Sequence, residues 1–299
     1  MKPRRRTIRR IFFSLGNAFS HCFSSFHTHT HTQAHSSFHP STGDIVSASA
    51  IPVGSGSAKN NKGENVEYET PRPLTVEQIK ETVQDFVKAA RLSKKAGFDG
   101  IEIHSANGYL LDQFLQTCSN QRNDEYGGSM ENRARFLMEV LDAIIADGSY
   151  PAQRIGVRLS PNGAFGGMGS EDNGVMFPWV AEKLSRYGLA YLHVMDGLGF
   201  GYHGKCPPVT AMEMKMAFKG PLMCNVGLTK EIAEGMLRSG ACDLCCFGRL
   251  YISNPDLVER IENDWPLKPA SSSHEDWWHP QGAKGYTDFP AYEEESNKA

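Results

Sequence analysis

The sequence predicts an α/β fold built on a parallel sheet, because helical stripes alternate with short apolar strands from Thr75 onward. Two more observations bound that reading. The 299 residues are 40% hydrophobic and 22% charged, enough apolar material for a sizeable soluble core. No GxGxxG follows the first strand, so the dinucleotide-binding signature of a Rossmann sheet is missing. Periodicity alone leaves an open doubly wound sheet and a (β/α)8 barrel both standing, since five strands are legible and a closed barrel needs eight.

The first helix opens on a capping box, Thr75 with Gln78. It carries Val76, Ile79, Val83, Phe86, Val87 and Ala90 on one stripe and stops near Gly97. Asp99 to His104 follows as a strand. A helix over 131–147 buries Phe136, Leu137, Val140, Leu141, Ile144 and Ile145, then ends at Gly148 before the strand Ile155 to Ser160. Helix 175–187 precedes strand 190–195. Strand 221–226 leads through Thr229 into helix 230–239, strand 243–247 follows, and Asn254-Pro255 opens another helix.

Residues 1–38 read as an atypical, low-complexity or transit-like N-terminus. Through residue 43 the chain holds six Lys or Arg and no acid, Arg-rich first and Ser-rich later, which is the composition of an organelle transit peptide. The apolar run Ile11 to Leu15 is too short for a secretory core. The alternation His27 to Thr32 has imidazoles that can hold a metal, but a translated dinucleotide repeat is the simpler account. The expected location is cytoplasmic, or mitochondrial or plastid if the Arg-rich start is a real transit peptide.

Beyond that segment, 25 of the 31 basic residues face all 34 acidic ones, an acidic body unsuited to nucleic acid. No apolar run reaches the roughly 20 residues of a membrane span. Seven cysteines, an odd number spread through a long chain, do not resemble a secreted disulfide framework. Cys242, Cys245 and Cys246 have CxxC spacing, yet without a second ligand pair they read as packing in a buried strand.

Side-chain alternation puts Ile101 and Ile103 on one face of their strand and Glu102 and His104 on the other, with Asn107 and Tyr109 in the loop beyond. Arg158 likewise stands opposite Ile155, Val157 and Leu159. An inward guanidinium needs an anion, either a bound cofactor or an internal partner such as Glu102. Gly248 and Arg249 end the last strand, and Gly227 follows the one before. Together they suit a phosphate, through close backbone approach and a cationic clamp.

The runs His104-Ser-Ala-Asn107-Gly-Tyr109-Leu-Leu-Asp-Gln-Phe-Leu115 and Asn120 to Phe136 resemble the signature of the Old Yellow Enzyme family. Agreement continues through Arg158 to Pro161, Phe247-Gly-Arg249, Ile252 to Leu257 and Gly285 to Glu294, and more weakly back to His39. The resemblance implies a TIM (β/α)8-type barrel, incomplete here: strands 4 to 8 are recognisable and strands 1 to 3 are missing or replaced. Residues 39–74 would then be the loop region after the third strand and 75–299 the FMN-binding barrel portion.

By the same resemblance FMN is reduced by NAD(P)H and passes hydride to an α,β-unsaturated carbonyl compound, a small-molecule enone. His104 and Asn107 would bond the carbonyl, Tyr109 would give the proton, Arg158 would face the flavin, and Gly227, Gly248 and Arg249 would hold its phosphate. Three departures stand out. The family's Trp-His-x-Gly-Arg stretch is absent, Val226-Gly227 stands where the family has two glycines, and Trp277-Trp278-His279 replaces a Phe-Tyr. The competing reading is an inactive truncated homologue or interaction protein, whose open sheet edges would favour homo-oligomers.

Overall fold

The computed structural model describes residues 12–15, 35–38, 44–54, 56–195, 201–269 and 288–292. The His-Thr alternation, the Trp277 to His279 stretch and residues 285–287 lie outside them.

In chain order the strands and helices are β1 (Phe12–Leu15), β2 (Val46–Ser47), β3 (Ala58–Lys59), β4 (Asn65–Val66), β5 (Arg72–Pro73) and α1 (Val76–Lys95). Then come β6 (Gly100–Ser105), α2 (Leu110–Leu115), α3 (Met130–Asp147), β7 (Ile155–Leu159), α4 (Asn173–Ser185) and β8 (Tyr191–Met195). The chain continues through α5 (Ala211–Ala217), β9 (Leu222–Asn225), α6 (Lys230–Ser239), β10 (Leu244–Cys245), α7 (Arg249–Ser253) and α8 (Leu257–Glu262).

Local signals account for most of these bounds. The Thr75 side chain accepts from the Gln78 amide while Gln78 reaches back, the capping box that the sequence announces. Gly148 closes α3 in the left-handed conformation, and Gly240 closes α6 in the same way. The last strand is shorter than expected, and the helix expected from Asn254 begins at Leu257, because the chain has already turned helical directly after Gly248.

The main sheet runs β1-β6-β7-β8-β9-β10, every pair parallel. From β6 to β10 spatial order equals chain order. A doubly wound sheet reverses direction at a switch point; this one does not, so it is the wall of a (β/α) barrel. The N-terminal residues 12–15, expected to form no element, pair in parallel with β6 and satisfy an edge that would otherwise expose its backbone groups.

One core joins the outward sheet residues Ile101, Ile103, Ile155, Val157, Leu192, Val194 and Leu222 to the apolar stripes of α1, α3, α4 and α5. Each such buried aliphatic side chain contributes about 1.5–3 kcal/mol. With the helices on that face, the polar residues of alternate positions are left on the concave one. Cys242 packs in the core, its sulfur 3.7 Å from that of Cys245, and no metal-holding cluster exists among the described residues. None of the described helices is long and apolar enough to cross a membrane.

Candidate active site

Register decides which polar side chains meet. His104 on β6, Arg158 on β7, His193 on β8 and Met223 on β9 are successive cross-strand partners, one row across the concave face. The row below is Glu102, Gly156 and Tyr191. A Cβ on Gly156 would lie 2.4 Å from the Tyr191 ring, so glycine here lets that ring cross the neighbouring strand.

Glu102 is not the ion-pair partner of Arg158. Its carboxylate accepts from His193 Nδ1 at 2.8 Å and from the Tyr191 hydroxyl. Burial pushes the Glu102 carboxyl up, but the His193 hydrogen bond and the charges of His193, Arg158 and His104 outweigh it and leave it below the usual range. His193 was legible from the same alternation that exposed Glu102 and His104, since Tyr191, His193 and Met195 share a face.

Arg158 keeps most of its donors. Among the described residues Nη2 meets the Met195 sulfur at 3.1 Å, and the buried Nε has no hydrogen-bond partner. A guanidinium so placed has donors to spare for an acceptor that the described residues do not supply.

On one side of Arg158 the three residues from the β6 end are gathered. The His104 and Tyr109 rings are 5.0 Å apart. Asn107 and Gly108 both adopt positive φ, 58° and 71°, which makes the turn that brings Tyr109 back over the strand; asparagine and glycine tolerate that region best. The turn is held from behind. Ser160 Oγ accepts the Asn107 amide at 2.7 Å, the buried carboxylate of Asp112 accepts that of Gly108 at 2.8 Å, and Gln113 donates to the Gly108 carbonyl at 2.6 Å. Ser47 of β2 donates in turn to Gln113 at 2.8 Å, tying residues 44–74 to the site.

Burial pushes the Asp112 carboxyl up to about 7 despite bonds from Gln116, Gly108 and Ser160. It also raises the Tyr109 hydroxyl, an effect that Arg158 opposes and Tyr68 reinforces. Asp112 and Ser160 as turn supports were invisible to pattern reading, because their partners lie outside any periodic motif.

On the other side of Arg158 lies a cavity of about 370 Å³, lined also by Val226, Gly227, Cys246, Gly248 and Arg249. Nothing stands within 4 Å of where Gly227 or Gly248 would carry a Cβ. The cavity thus joins open backbone to two guanidinium side chains. Of the residues singled out in the sequence, Arg158, Gly227, Gly248 and Arg249 share this cavity, while His104 is the cross-strand neighbour of Arg158, with Tyr109 against its ring and Asn107 in the turn between them.

Residues 26–268 match the model of the NADH:flavin oxidoreductase / NADH oxidase family. The chain belongs to that family, the old yellow enzymes. It is 38% identical over 268 residues to putative 12-oxophytodienoate reductase 5 of Oryza sativa subsp. japonica, covering 87% of this chain and 69% of the relative. It is 38% identical over 253 residues to a probable flavin mononucleotide-dependent alkene reductase of Leishmania infantum, covering 82% and 66% respectively. The old yellow enzyme homologue of Zymomonas mobilis superposes with a TM-score of 0.79 at 36% identity, over 88% of this chain and 72% of that one. The chain therefore spans about two thirds of its relatives' length.

As an old yellow enzyme, the chain is an oxidoreductase of a family whose cofactors are FMN and NAD(P)H. The residues present fit FMN: an unpartnered buried Arg158 Nε suits a ring-edge acceptor, and open glycine backbone beside Arg249 suits a phosphate.

Proposed function

We propose that the chain is an ene-reductase, taking hydride from NAD(P)H to the C=C bond of an α,β-unsaturated carbonyl compound. The observation that supports this is the juxtaposition around Arg158: His104 with the Tyr109 ring on the β6 side, and the cavity lined by Arg158, Gly227, Gly248 and Arg249 on the β9–β10 side. FMN, when bound, supplies the two-electron relay between nicotinamide and substrate.

The chain's own residues do the rest. Arg158 would hold the flavin's polar ring edge, and Gly227, Gly248 and Arg249 would hold its phosphate. His104 and Asn107 hydrogen-bond the substrate carbonyl, so negative charge that grows on its oxygen as hydride reaches the β-carbon meets fixed donors. Tyr109 then gives its hydroxyl proton to the α-carbon. Its raised pKa keeps that proton in place at neutral pH.

The test is reconstitution with FMN followed by anaerobic assay of NADPH oxidation with 2-cyclohexenone. Stoichiometric flavin uptake and enone-dependent turnover support the reading. Protein that takes up no flavin, or takes it up and leaves the enone unreduced, overturns it.

A further inference from the structure

Val226 has φ of 89°, inside the left-handed region that a β-branched residue all but never occupies. Gly227 follows at 70°, so two consecutive residues turn the chain from β9 toward the Thr229 cap of α6. Only the second of them suits that conformation. Strain of this kind persists where surrounding packing over-determines it. Val226 lacks such packing: it is half-buried, outside the main core cluster, and it lines the cavity beside Arg158 and Arg249.

We propose that Val226 is a strained latch on the anion cavity, whose preference for an extended backbone opposes the turn that presents the Gly227 amide and so weakens retention of the cofactor's phosphate. The proposal rests on the flavin reading of the site. The turn is formed in the ligand-free chain, but the strain at Val226 sets it in exchange with a relaxed form in which Val226 is extended and the Gly227 amide is turned away from Gly248 and Arg249. Binding must then restore the turn, and apparent affinity falls by the fraction of molecules that hold it. A residue at ease with positive φ removes that loss.

The experiment compares wild type, V226G and V226N, the last because asparagine accepts the left-handed region without glycine's flexibility in the unfolded chain. Flavin fluorescence titrations use FMN and riboflavin, which differ only in the phosphate. The expected result is FMN binding about 5- to 10-fold tighter in both variants, riboflavin binding unchanged, and an apo thermal midpoint higher by roughly 2–4 °C in V226N. Equal FMN affinity in all three proteins, or a gain shared by riboflavin, overturns the latch while leaving the flavin reading intact. FMN binding by none of them overturns both.

Discussion

His193 Nδ1 lies 2.8 Å from Oε2 of Glu102, joining β8 to β6 across the intervening Arg158 strand, with both side chains buried. This carboxylate bonds His193 and Tyr191, and among the described residues the Arg158 Nε is left without a hydrogen-bond partner.

Glu102→Gln leaves His193 and Tyr191 without their anionic acceptor. The expected loss is about 2–4 kcal/mol at pH 7 by urea denaturation. Because the folded-state pKa of Glu102 is lowered, its stabilisation is present above the ordinary carboxylate range and disappears as pH falls through the folded value. The difference between the two proteins should therefore shrink on acidification. A difference independent of pH between 7 and 3 would remove Glu102 as the source.

Asp112 carries the opposite sign. Its folded pKa, about 7, lies above the unfolded value, so folding favours the protonated form. Its contribution is complete below about pH 4 and is lost as pH rises through 7, a swing of up to roughly 4 kcal/mol. Asp112→Asn cannot ionise and should lose this dependence. Parallel pH profiles of unfolding free energy for the two proteins between pH 4 and 8 would refute the assignment.

Tyr109→Phe removes the proton donor and keeps the ring against His104. Stopped-flow reoxidation of the reduced protein by an enone should slow by roughly 10²-fold or more, while flavin reduction by NADPH stays within a factor of a few. An unchanged reoxidation rate would assign the proton to another group.

Gly156→Ala places a methyl group 2.4 Å from the Tyr191 ring, and the ring cannot withdraw without giving up its bond to Glu102. The expected destabilisation is about 1–3 kcal/mol, seen as a lowered thermal midpoint. A midpoint equal to wild type would mean that Tyr191 has room to move that the packing denies it.

Much of the fold was open to pattern reading because it is local. The Thr75 box, the glycine at 148 and the two-residue alternation in β6 and β7 each act within a few residues, and each is where periodicity placed it. The same alternation brought His104 and Arg158 to the concave face. In β8 it sets His193 on the same face, opposite Arg158.

By itself the sequence determined the alternating α/β pattern, the polar face of the sheet and, through its long motif, the family. The tertiary structure decided the rest. Strand order from β6 to β10 separates a barrel wall from a doubly wound sheet, and that order depends on which distant segments bury their apolar faces together. Glu102 and His193 are 91 residues apart, so no local period relates them. Even at Val226 the residue type was plain in the sequence, while its positive φ is visible only in the turn that the folded chain makes between β9 and α6.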